Sequence, residues 1–310
     1  MTATRDLDLA ADKTEQSARL MRLATYASVT VAAILIVAKL SAWSLSGSVA
    51  LLATLVDSLL DGLASIVTLV AVRHALTPAD QEHRFGHGKA EALAALAQSA
   101  FVAGSAVIVI FEAVSRLFKP QPLVETDIGI VVMVGSIGLT LILVMFQLYV
   151  VKRSNSLAIA ADSLHYKSDL LINLAVMAAL ILTPLLDSPI IDPLTGAAVA
   201  LYLMYGAWQI LQSALDMLMD RELPDEDRQR IRDIANQHKD VCSLHDLRTR
   251  RSGSDVFIQI HLELDPNISL MEAHLIADQV ELDISQAFEG AEVLIHQDPA
   301  GYEEDHTIIR

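Results

Sequence analysis

Along the chain, apolar residues gather into runs of about 20 or more between Leu20 and Asp216, the length a helix needs to cross a bilayer. Six such spans are predicted, at 20–44, 49–75, 90–118, 126–151, 158–184 and 190–216. From Asp220 onward the pattern changes. Charged residues crowd in, acids outnumber bases roughly two to one, and no window is long or apolar enough to span. There "PDEDRQRIRDIANQH" carries an acidic first turn and apolar residues three and four apart, which predicts a helix. "SLHDLRTRRSG" and "DVFIQIHLEL" alternate as strands around a Ser-Gly turn. "SLMEAHLIADQVELDISQAF" reads as a second helix opened by Ser269 and Glu272 as a capping box, and "AEVLIHQD" as a third strand.

The predicted fold is therefore an α-helical membrane domain of six transmembrane helices followed by an αββαβ sandwich with two helices on one face of a sheet. The expected divisions are an N-terminal tail at 1–19, a six-helix transmembrane domain at 20–219, a separate domain at 220–300, and a C-terminal tail at 301–310.

Composition supports a membrane protein: 53% of the 310 residues are hydrophobic, and the mean hydropathy is +0.43. Arg19 and Arg22, then Arg73, Arg84 and Lys89, then Lys152 and Arg153, then Arg221 mark one side of the membrane. The opposite loops hold Arg116 and Lys119, so the positive-inside rule places both termini in the cytoplasm. A formal charge of −16 excludes a basic nucleic-acid-binding face. The lone cysteine, Cys242, excludes an internal disulfide and Cys-based zinc fingers. The first residues lack the apolar core and cleavage site of a signal peptide.

Within this apolar material, "LVDSLLDGLAS" sets Asp57 and Asp61 four apart on one face of a helix. Each carboxylate costs several kcal/mol in the bilayer interior, so the pair requires protons, a cation or a basic partner. "ADSLHYKSDLL" in the fifth span repeats the spacing with His165 and Asp169. Two packed helices would bring three carboxylates and one imidazole together. Such a mixed N/O set suits Zn²⁺, and less selectively Mn²⁺, Fe²⁺ or Cd²⁺, better than Mg²⁺ or Ca²⁺. The competing reading pairs the acids with Lys39 of the first span, or with water near helix ends, and leaves the second pair and its histidine unexplained.

"DSLLD", "DSLHYKSD", "FGHGKAE" and a tail with "HDLRTR", "IQIHLEL" and "LIHQDP" together resemble the cation diffusion facilitator family, most of all its bacterial zinc-transporting branch. The resemblance implies a homodimeric inner-membrane exporter that exchanges cytoplasmic Zn²⁺ for protons by alternating access. Its tail would be ferredoxin-like, shaped as a metallochaperone. It implies that Asp57, Asp61, His165 and Asp169 form the transport site, and that Asp80, His83 and His87 form a loop site. It also implies a binuclear tail site from His245, His261, His274, His296 and Asp298, with Asp298 bridging. Lys89 and Asp220 match an interdomain charge pair, and Leu164 matches a position that seals the pathway, although lipid or core packing explains a leucine there almost as well. Two other classes remain open: an intramembrane metalloenzyme, disfavoured because no HExxH occurs, and a membrane-anchored metal sensor, which would not need ionisable ligands at mid-membrane.

Overall fold

The computed structural model describes residues 2–46, 49–118, 127–186, 190–288 and 291–301. Of the sequence expectations, residue 126, Lys119 and positions 302–310 of the C-terminal tail lie outside these residues. The chain divides into a compact unit at Gln16–Leu218 and a second built on Met219–Arg310.

The first unit is helical: α1 (Thr2–Ser46), α2 (Val49–Ala75), α3 (Lys89–Phe118), α4 (Asp127–Ser154), α5 (Leu157–Leu186) and α6 (Ile191–Leu218). The first helix starts at Thr2, well before the expected span, so the expected N-terminal tail is continuous with it. Among the described residues, α1, α2, α3, α4 and α6 are long and apolar enough to cross a membrane. The remaining helix, α5, matches them in length, but its first half carries Asp162, His165, Lys167 and Asp169.

Its neighbours explain how a helix so polar is tolerated. Ala158 and Ile159 of α5 pack with Met21 and Ala24 of α1, Val72 of α2, Ala94 of α3 and Val150 of α4, so its polar stretch starts inside the bundle. Small residues let α3 and α6 approach closely, with Val102 and Ala106 set against Ala200, Leu203 and Ala207. Outward faces are apolar instead, as at Ile108, Phe111, Val131 and Ile142, which suits contact with lipid tails.

The second unit runs α7 (Asp225–Asn236), β1 (Ser243–Ser252), β2 (Asp255–Leu264), α8 (Leu270–Ala287) and β3 (Ala291–Pro299). This is the predicted order. The turn between β1 and β2 places Gly253 at φ 62°, a left-handed conformation that glycine adopts without a Cβ clash. The predicted capping box is present: the Glu272 N–H donates to Ser269 Oγ at 3.2 Å, and the Ser269 N–H donates to Glu272 Oε2 at 2.8 Å.

The 3-stranded sheet has the order β1-β2-β3, antiparallel then parallel. Alternation along β2 decides its two faces. Val256, Ile258, Ile260 and Leu262 pack with Ile231 and Ala235 of α7 and Val280 and Ile284 of α8. Phe257, Gln259, His261 and Glu263 therefore lie on the other face, away from both helices.

Candidate metal centres

In the helical unit, α2 and α5 pack so that their polar turns meet. His165 Nε2 lies 3.1 Å from Asp61 Oδ1 and 3.9 Å from Asp169 Oδ2. Ligand atoms of these three residues all fall within 4.8 Å of one another. His165 is 3% exposed, so this is an interior cluster, open through the less buried Asp61 and Asp169. Asp57 stands one turn earlier on α2, is exposed, and stays outside the set. Lys39 lies within electrostatic range of Asp61, Asp169 and Asp57, while its ammonium donates to Ser58 Oγ at 2.7 Å and to the Thr54 carbonyl at 3.2 Å. The basic partner weighed from sequence is thus present beside the carboxylates.

One turn before His165, sequence reading missed a second polar layer. Asp162 is fully buried. Ser28 Oγ of α1 and Gln147 Nε2 of α4 donate to its Oδ2, both at 2.7 Å, and Gln98 Nε2 of α3 approaches its Oδ1 at 3.5 Å. Gln98 also donates to Thr68 Oγ1 of α2 at 3.0 Å. Tyr166, 1% exposed, donates to the Ser28 carbonyl at 3.2 Å and shares a 2.7 Å hydrogen bond with Ser65 of α2. The signal was available, since Asp162 stands inside the same "ADSLHYKSD" stretch. The start of α5 is fixed in a similar way: Ser156 Oγ donates to the buried Glu91 of α3, and the Ala158 N–H points at the same carboxylate from 3.4 Å. An anion there also complements the N-terminal end of the helix dipole.

Leu164 packs on α6. A Cβ placed on Gly206 would meet its Cδ1 at 2.9 Å, and its other neighbours belong to the α3–α6 core.

Between α2 and α3, the expected loop residues converge. Asp80 Oδ1 lies 3.5 Å from His83 Nδ1, and Asp80 Oδ2 lies 3.4 Å from His87 Nε2. The backbone N–H groups of His83 and Glu82 donate to Asp80 Oδ1 at 2.6 and 2.9 Å and hold its carboxyl below the usual carboxylate range. His87 Nδ1 faces the Thr77 carbonyl at 3.3 Å; with the proton on Nδ1, the Nε2 lone pair is available to an ion held between it and Asp80. One anionic oxygen and an oriented imidazole fit a divalent transition metal.

The sheet of the second unit lines up three histidines. His245 pairs with His261 across β1 and β2, and His261 pairs with His296 across β2 and β3. Their ring centroids are 5.1 and 4.7 Å apart. Asp298, 6% exposed, serves all three: its Oδ2 lies 2.8 Å from His261 Nδ1 and 3.5 Å from His245 Nε2, and its Oδ1 3.2 Å from His296 Nε2. A carboxylate with both oxygens facing imidazoles has the donor arrangement a bridging ligand needs.

His274 departs from expectation. It sits on α8, 3.4 Å from Asp278, and does not join the set. The reason is the sheet itself: α8 packs on the Ile258–Ile260 face, whereas the histidine row lies on the opposite one. Closer candidates that the sequence did not single out are Glu263, 3.4 Å from His245, and Asp246, 3.9 Å from His261.

Lys89 and Asp220 fall in different units. Lys89 Nζ donates to the Leu218 carbonyl at 3.4 Å, and Asp220 lies 3.4 Å from Arg250 Nη1.

Comparison with known proteins agrees over both parts. Residues 25–219 match the cation efflux transmembrane domain, and residues 223–300 match the cytoplasmic domain of cation efflux proteins. The cation-efflux pump FieF of Shewanella oneidensis is 50% identical over 283 residues, covering 91% of this chain and 95% of that protein. FieF of Serratia proteamaculans is 47% identical over 284 residues, covering 92% and 94%. The metal-bound C-terminal domain of the CzcD transporter from Thermotoga maritima is 26% identical, covering 26% of this chain and 93% of its own, with a TM-score of 0.25. The chain belongs to the cation diffusion facilitator family: it is a multi-pass membrane transporter for the efflux of divalent metal cations, not an enzyme.

Proposed function

We propose that the protein exports Zn²⁺ across the inner membrane in exchange for protons, with Asp57, Asp61, His165 and Asp169 as the transport site. The observation that carries this reading is the cluster of Asp61, His165 and Asp169, supplied by two helices and buried at its imidazole. An imidazole among carboxylates favours zinc-class ions over Mg²⁺ and Ca²⁺. Asp57 completes the set from the next turn of α2 when zinc draws the carboxylates together, since a doubly charged cation offsets the repulsion that keeps them apart.

Protons and metal compete for the same lone pairs, so a change of access from cytoplasm to exterior exchanges one for the other. Rocking of one helix group against another supplies the change of access. Both termini are cytoplasmic, and two copies associate through the tail, where His245, His261, His296 and Asp298 hold zinc as a structural or regulatory ion. Asp80, His83 and His87 hold a further ion in the loop.

The test is zinc uptake into sealed proteoliposomes with simultaneous recording of internal pH and a panel of Zn²⁺, Cd²⁺, Fe²⁺ and Mn²⁺. Zinc entry with counter-directed proton movement is the expected outcome. Zinc flux without proton movement at every pH tested overturns antiport. Preference for another metal overturns zinc as substrate.

A further inference from the structure

The last turn of α2 ends in a histidine that neither the sequence expectations nor the family assignment uses. The Thr77 N–H donates to the His74 carbonyl at 2.9 Å, so the chain leaves the helix in a tight turn and the loop begins against this residue. His74 packs edge-on against His87: their ring centroids are 4.4 Å apart, with the rings inclined at 62°. His83 lies 4.6 Å from the same ring at 46°. With metal–nitrogen bonds of about 2.0–2.1 Å, two imidazoles on one tetrahedral ion have centroids about 5 Å apart. His87 thus has an imidazole on either hand at nearly the separation a shared ion imposes, with Asp80 beside it.

We propose that His74 is a fourth ligand of the loop site, which then holds a zinc-class ion between three imidazoles and one carboxylate. The proposal rests on the reading of Asp80, His83 and His87 as a metal site. In this structure the nitrogens of His74 stand outside the 4.8 Å set formed by those three. Its side chain is exposed, so rotation about its own bonds brings a nitrogen to the ion without moving the backbone.

Four protein ligands make a closed site, as structural zinc sites are, in contrast with an open one that keeps a water position. The donor balance differs from that of the transport site as well. Three nitrogens and one oxygen discriminate against Mg²⁺ and Ca²⁺ more strongly than one nitrogen among carboxylates, and the loop would retain its ion while the transport site exchanges.

The test uses full-length detergent-solubilised protein, zinc titrated against a chromophoric chelator, and zinc X-ray absorption to count imidazole ligands. Wild type is compared with His87→Ala, His74→Phe and His74→Asp. Phenylalanine keeps a ring to pack against His87 but removes the nitrogen, and aspartate restores a ligand atom without a ring. Expected are a weakening of one zinc site by more than about 100-fold in His74→Phe, beyond the cost of a supporting group, loss of one imidazole from that site, and recovery of affinity in His74→Asp. If His87→Ala removes a site while His74→Phe changes neither affinity nor imidazole count, the loop site stands and His74 is not its ligand. If His87→Ala removes no site, the loop reading itself fails and the inference falls with it.

Discussion

His165 Nε2 and Asp61 Oδ1 are 3.1 Å apart, a contact that joins α5 to α2 through polar groups inside an otherwise apolar bundle. Ionisable groups inside a membrane are costly unless paired or put to use, so the contact marks a functional cluster. Asp57→Ala and Asp169→Ala should each reduce zinc uptake by more than about 100-fold, since loss of mere supporting groups around a metal already costs 10–100-fold. Elution as a folded protein with undiminished uptake in either variant would sink the assignment.

Proton coupling should depend on the imidazole. His165→Asn keeps a polar side chain of similar reach but cannot titrate near neutral pH. Zinc movement in this variant should be slow and accompanied by a much smaller pH change per ion. A ratio of protons to zinc equal to that of wild type would show that the exchange runs through the carboxylates alone.

The tail should respond separately. His261→Ala or Asp298→Ala removes the centre of the histidine row, so tail zinc should be lost, and the dimer should weaken because metal that binds only the associated form stabilises it by mass action. Zinc uptake through the membrane site should persist. Calorimetry giving the wild-type number of bound zinc ions in both variants would refute a tail site.

The loop has its own pH signature. Backbone N–H groups hold the Asp80 carboxyl below its ordinary range, so whatever Asp80 contributes is complete above the ordinary carboxylate pKa and is lost only as pH falls through its lower folded value. Asp80 should therefore stay charged, and available to a loop ion, below the ordinary carboxylate range. The ratio of wild-type to Asp80→Asn zinc affinity should stay constant from about pH 8 to pH 5. A ratio falling toward one by pH 5 would contradict a depressed Asp80.

Much of this was legible in the residues. Helical spacing gave the Asp61, His165 and Asp169 cluster, because i, i+4 pairs need only one packing choice between two helices to meet. The sequence put His245 and His261 on adjacent strands, but their direct pairing depends on a register shift between His245 and Arg248 that the hairpin turn does not set. His274 stands outside the histidine row because its helix covers the opposite face of the sheet, and which face a helix covers is settled by the apolar residues Ile258, Ile260, Val280 and Ile284 together, not by the histidine itself. Lys39 and Asp162 show a different limit. A charged residue in an apolar run announces itself, but the identity of its partners on four other helices is a matter of tertiary packing.

The layer around Asp162 has a consequence for motion. Its carboxylate takes hydrogen bonds from α1 and α4 in a place sealed from solvent, and Tyr166 adds ties to α1 and α2. Sliding α5 past α1 or α4 would strand a buried carboxyl group with no water to replace the lost donors, a cost of about 1–3 kcal/mol. These helices are laced together at that level, like planks under one crosspiece. At that level α1, α2, α4 and α5 are tied by hydrogen bonds, whereas Leu164 meets Gly206 of α6 through apolar contact, where a small displacement strands no polar group.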